Sequence, residues 1–173
     1  GRLGYVGRQP GLRDSDSWYT PAVYVEAARA VLGRIVLDPF SSESANQVVK
    51  AKRYFNEANN AFTQTWNAET VRMNPPYGPT FRAAVDKFVN EFTSGHFRSG
   101  IVLANNCTDT RAGQLLLQTA RAVCFTNHRI AFMNDDGKRI SGNTRGQMFC
   151  YVGPKAGLFR KVFSQFGTVL SCK

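Results

Sequence analysis

Two histidines and four scattered cysteines leave this 173-residue chain little with which to bind a metal. Cys107, Cys124, Cys150 and Cys172 form no C-x-x-C pair and have no histidine at ligand spacing, which excludes a zinc site. Cys124 and Cys150 lie inside apolar runs and read as reduced core residues. His96 follows a helix end and His128 sits beside Arg129, so both read as structural or surface residues. The acidic residues form no cluster, which argues against a metal-dependent nuclease. No apolar run approaches the ~18 residues of a membrane helix, and the polar opening is no signal peptide. A soluble, cytoplasmic protein is expected. The missing initiator Met reads as a trimmed start. No G-x-G-x-x-G follows the first strand, so a cofactor loop cannot be argued from glycines. Internal repeats and low-complexity tracts are absent.

Positive charge is present in excess. Lys and Arg number 22 against 12 Asp and Glu, a formal +10, and the hydrophobic fraction is 43%. Such a field favours a polyanion, nucleic acid above all, and the apolar content builds one packed domain. Gly1 to Ser17 reads as a flexible basic arm, followed by a domain over 18–173.

From Trp18 onward short apolar runs alternate with amphipathic segments, the pattern of an α/β layer fold. Thr20-Pro21 reads as a helix start with Thr20 as N-cap. The helix carries Val23, Tyr24, Ala27 and Val31 on one face and stops at Gly33. Strands are expected at 34–37, 70–73, 100–104, 123–125, 129–133, 148–152 and 168–171. Helices are expected at about 80–93 and 112–122, with a last one marked by Leu158, Phe159, Val162, Phe163 and Phe166. In helix 80–93 the apolar face is Phe81, Ala84, Val85, Phe88, Val89 and Phe92, with Glu91 facing away. The sheet is expected to be mostly parallel, with helices on both faces and ligands at the carboxyl ends of its strands. Asp38-Pro39 and Asn74-Pro75-Pro76-Tyr77 both stand at such ends. Residues 134–146, polar and basic, read as an exposed loop in which Lys138, Arg139 and Arg145 are the expected DNA contacts.

Asn74-Pro75-Pro76-Tyr77 carries the chemistry. An exocyclic amino group on an aromatic ring is a weak nucleophile because its lone pair is delocalised. Two rigid hydrogen-bond acceptors draw that lone pair out of the ring, and the Asn74 side-chain oxygen and the Pro75 carbonyl supply them. Consecutive prolines fix the backbone that holds both. Tyr77 offers a face on which a flipped base can stack. As a bare turn the same four residues would end a strand and do nothing more.

With these residues in view, the chain resembles the phage-type DNA N6-adenine methyltransferases, compact class I amino-methyltransferases. The resemblance is carried by Trp18-Tyr19-Thr20-Pro21, Leu37-Asp38-Pro39-Phe40-Ser41-Ser42, Asn46, Ala51-Lys52-Arg53-Tyr54-Phe55, Trp66 and Asn74-Pro75-Pro76-Tyr77, with Thr108-Asp109-Thr110 and Tyr151-Val152-Gly153 less specific. It implies a single-domain Rossmann-like fold, S-adenosylmethionine as cofactor, no metal, DNA as partner, and a bacterial host cell if the gene is phage or prophage encoded; a monomer is plausible. It also implies that Trp18, Tyr19, Thr20, Pro21, Asp38, Pro39, Phe40, Ser41, Asn46 and Asn74 surround the cofactor. Where relatives carry Asp-Gly-Leu, this chain has Asn60-Ala61-Phe62. RNA adenine and protein glutamine are alternative substrates for the same motif, and a non-catalytic basic nucleic-acid-binding module is an alternative of another class.

Overall fold

The computed structural model describes residues 19–56, 58–133, 138–139 and 145–172. Trp18, the 1–17 arm and most of the 134–144 loop fall outside them. In chain order the elements are α1 (Ala22–Leu32), β1 (Leu37–Asp38), α2 (Glu43–Val49), β2 (Arg53–Tyr54), β3 (Thr70–Met73) and α3 (Pro79–Thr93). They continue with β4 (Ser99–Asn105), α4 (Arg111–Thr119), β5 (Ala122–Thr126), β6 (Gln147–Val152), α5 (Ala156–Phe163) and β7 (Gly167–Ser171).

The strands make one sheet in the order β2-β1-β3-β4-β6-β5-β7. Pairings from β2 through β4 are parallel, and those of β4 with β6, β6 with β5, and β5 with β7 are antiparallel. The expectation of a mostly parallel sheet is therefore corrected to a mixed one. No helix occurs among the described residues between β5 and β6, and β6 inserts antiparallel between β4 and β5. Strand direction depends on that connection, which local apolar patterning does not record.

Strand alternation divides the core in two. Val102 and Ala104 of β4 join the cluster under α3 and α4, while Ile101 and Leu103 join the one under α1 and α5. Burial on both faces explains why the centres of β4 and β6, Ile101 to Ala104 and Met148 to Val152, read as continuous apolar runs, while β3, equally buried, carries Thr70 and Arg72 among its four residues.

Several local expectations need correction. Thr20 does not cap α1: Pro21 takes the N-cap position, and the Thr20 hydroxyl is used elsewhere. Val23 is exposed, and the buried face of α1 runs through Tyr24, Val25, Ala27, Ala28, Val31 and Leu32. The first strand covers Leu37–Asp38 instead of 34–37. Residues 129–133 form no strand and take part only in isolated bridges, those of Met133 with Tyr19 and with Arg139. Helix α4 ends at Thr119, since Ala122 already belongs to β5. Leu158 is solvent-facing on α5. Glu91 is buried, accepting from Lys87 Nζ (2.6 Å) and the Trp66 backbone N–H (3.2 Å) and paired with His96 Nδ1 (2.6 Å). A compensated carboxylate can sit where an unpaired one could not. Helix α2 and strand β2, too short for a periodic signal, were not expected.

Candidate active site

Strand β1 ends at Asp38 and the neighbouring parallel strand β3 runs straight into Asn74, so the two strand ends lie side by side. Both residues are almost completely buried. Between them stands Arg72, also buried, whose Nη1 donates to Asp38 Oδ2 at 3.3 Å and whose Nη2 donates to Thr20 Oγ1 at 2.5 Å. The same Thr20 oxygen accepts from Asn74 Nδ2 at 3.3 Å. One hydroxyl just ahead of α1 thus joins the guanidinium to the amide of the motif. The arrangement leaves two buried acceptors with no partner among the described residues, Asp38 Oδ1 and Asn74 Oδ1. An unpaired buried acceptor is costly and points to a ligand. Burial raises the Asp38 carboxyl to about 6, opposed by the charge and hydrogen bond of Arg72 and more weakly by the Phe40 backbone and Ser41 side chain, neither of which makes a hydrogen bond of good geometry to Oδ1.

Pro39, Phe40 and Ser41 are buried at the turn after β1. Ser42 caps α2 by accepting from the Ala45 N–H at 3.1 Å. Asn46 faces the other way: its Oδ1 accepts from the Ala51 N–H (2.8 Å) and its Nδ2 donates to the Ala51 carbonyl, pinning the turn from α2 to β2. Tyr19 bonds Ser44 Oγ through its hydroxyl at 2.9 Å. Together Tyr19, Thr20, Asp38, Phe40, Arg72 and Asn74 border a narrow cleft of about 10 Å³.

On the other side of the motif the space is far larger. Pro75 and Pro76 are buried, and Gly78 turns the chain into α3 with φ of 86°, a conformation that disfavours any side chain. Tyr77 stacks on Phe81 (centroids 5.8 Å apart), and its buried hydroxyl has no hydrogen-bond partner of good geometry among the described residues. Burial pushes that phenol well above its ordinary range, so it stays protonated. These residues open on a cavity of about 670 Å³ that Asn105, Cys107, Arg111 and Arg145 also line. Asn105 is held by a chain of amides: the Ile130 N–H donates to Gln147 Oε1, and Gln147 Nε2 donates to Asn105 Oδ1. Lys138 and Arg139 are exposed, and of the three expected DNA contacts only Arg145 borders the cavity.

A family model described as DNA N-6-adenine-methyltransferase (Dam) matches residues 11–166. The chain belongs to the Dam family. It is thus an adenine-specific DNA methyltransferase, with DNA as its substrate. No curated protein matches it significantly. Among the described residues of this Dam-family chain, no helix is long and apolar enough to cross a membrane, and no cluster of His, Cys, Asp or Glu could hold a metal.

Sequence reasoning missed Arg72, Arg82 and Arg111. Arg72 did carry a signal, a lone cation in an apolar strand beside an acidic strand end. Arg82 falls on the polar face of helix 80–93 and Arg111 just ahead of helix 112–122, and only the folded chain brings them to one cavity.

Proposed function

We propose that the enzyme transfers the methyl group of S-adenosylmethionine to the N6 amino group of an adenine flipped out of DNA, with Asn74 as the central catalytic residue. The observation that carries this reading is the pair of buried, unsatisfied acceptors, Asp38 Oδ1 and Asn74 Oδ1, at adjoining strand ends. The cofactor fits that donor set, because its ammonium and ribose hydroxyls are donors and the cleft offers acceptors. Thr20, Pro21, Asp38, Pro39, Phe40 and Ser41 would hold it, with Tyr19 at the edge and Asn46 pinning the turn from α2 to β2; Trp18 lies outside the described residues. In so narrow a cleft, entry of the cofactor would require the walls to move apart, the Arg72–Asp38 contact among them. When bound, S-adenosylmethionine supplies a methyl group already activated by the sulfonium charge.

The protein's own residues do the rest. Asn74 Oδ1 and the Pro75 carbonyl accept from the two N6 hydrogens and draw the nitrogen lone pair out of conjugation. Thr20 holds the Asn74 amide by its nitrogen, which leaves the oxygen directed away from that bond. Tyr77 provides a rigid aromatic face for the base, and the cavity beyond it has room for a purine. Formation of the C–N bond would break the methyl–sulfur bond, the electron pair staying on sulfur, and the surplus N6 proton would pass to solvent, so no strongly basic side chain is needed. Lys138, Arg139 and Arg145 contact the DNA around the site.

Incubation with labelled cofactor, followed by digestion of the DNA to nucleosides, tests the assignment, and N6-methyldeoxyadenosine carrying the label is expected. Label confined to RNA or protein would overturn it. The Asn74→Ala variant is expected to bind cofactor normally by calorimetry while losing at least about a hundredfold in turnover, the usual cost of removing one such electrostatic contact.

A further inference from the structure

We infer that Arg82, Arg111 and Arg145 form a phosphate-binding rim around the Tyr77 cavity, gripping the backbone phosphates that immediately flank the extruded adenosine. The inference rests on the base-flipping reading above. Three cations reach this one cavity from three separate elements: Arg82 from α3, Arg111 from the first turn of α4, and Arg145 from the segment entering β6. All three are exposed. No carboxylate of the described residues borders the cavity with them. Arg82 and Arg111 make no side-chain hydrogen bond or ion pair with any other described residue.

Their convergence is built in. The Asn106 N–H donates to the Gly146 carbonyl at 2.9 Å and ties the Arg145 segment to the end of β4. A Cβ on Gly113 would lie 1.9 Å from the Cys107 carbonyl oxygen, so only glycine lets α4, and Arg111 with it, sit this close to the same loop. Gathering like charges around one opening costs repulsion unless an anion joins them. Guanidinium forks match phosphate oxygens in geometry as well as charge. A base stacked on Tyr77 is followed at once by its own two phosphates, so the rim and the base pocket engage a single nucleotide.

Binding of the full chain to a short single-stranded oligonucleotide with one adenine, titrated by fluorescence over a range of salt, tests this without relying on turnover. Arg82→Gln and Arg111→Gln are each expected to make the slope of log affinity against log salt shallower by about 0.7, the single-strand value for one phosphate contact, while Arg111→Lys retains most of it. Replacing the two flanking phosphates by neutral methylphosphonates should weaken wild-type binding by roughly tenfold or more and cost the double variant little. Unchanged salt slopes in both variants would overturn the rim, as would an equal methylphosphonate penalty in wild type and double variant. Arginine-dependent binding without any methyl transfer would instead sink the proposed function and leave the rim standing.

Discussion

Asp38 concentrates the electrostatics of the cleft in one carboxyl group. Its burial costs more than the 3.3 Å contact with Arg72 returns, which is why its pKa rises to about 6 instead of falling as in an exposed ion pair. Raised above the ordinary 3.8, the folded-state pKa means that the native protein holds a proton the unfolded chain has already released. Folding stability therefore declines as pH climbs from about 4 to about 6 and levels off above that window. Asp38→Asn is expected to remove this part of the slope in denaturant titrations run across the window. The proposed role of Asp38 as the acceptor for a cationic cofactor carries a second dependence: such a contact needs the ionised carboxylate, so cofactor affinity should strengthen as pH rises through about 6. An unaltered affinity profile in the Asp38→Asn variant would show that the carboxylate is not the contact.

At the scale of elements, the site is made by endings. Strands β1 and β3 stop side by side, and short turns then deliver Pro39 to Ser41 and Asn74 to Tyr77 from rigid starting points. Helix α4 completes the far wall, with Thr110 capping it through a 3.0 Å bond from the Gly113 N–H. Gly113 is an unfavourable helix residue by roughly 1 kcal/mol, yet a Cβ here would collide with the Cys107 backbone. Gly113→Ala is thus expected to destabilise the protein by about 1–3 kcal/mol despite alanine's better helix propensity, and to weaken DNA binding by shifting α4 and Arg111. Chemical denaturation of the variant checks the first effect and an oligonucleotide titration the second; a stabilised Gly113→Ala protein would refute the packing argument.

For the whole molecule, one mixed sheet serves two purposes. Its parallel half brings the strand ends together, and its antiparallel half closes both cores against α4 and α5. Trp66 fastens the long connection between β2 and β3 to this frame. It is fully buried, its indole N–H donates to the Ala61 carbonyl at 3.1 Å, and its ring packs near Phe88 and Phe97. The Asn60-Ala61-Phe62 segment is held by that bond, and Phe62 meets Phe40 beside the cleft (centroids 5.4 Å apart). Trp66→Ala is expected to cost about 3–5 kcal/mol and lower the thermal midpoint by roughly 10 °C, read by scanning calorimetry.

What was legible in the chain was local. Helix α3 and strand β3 follow from residue spacing, and the chemistry proposed for Asn74-Pro75-Pro76-Tyr77 is argued from its own side chains and fixed backbone. Periodicity reports which face of an element is buried, but not against what. The bond from Thr20 to Asn74 spans 54 residues and the Arg72–Asp38 pair 34, and neither has a signature in spacing. The apparent helix cap at Thr20 became a hydroxyl holding the motif, because a buried guanidinium and a buried amide needed an acceptor more than an exposed helix start needed a cap. Glu91 went inward for the same reason. The direction of β6, and the convergence of three arginines on one cavity, were decided only when the strands paired, since pairing is a choice among distant segments made by burial and charge compensation over the whole chain.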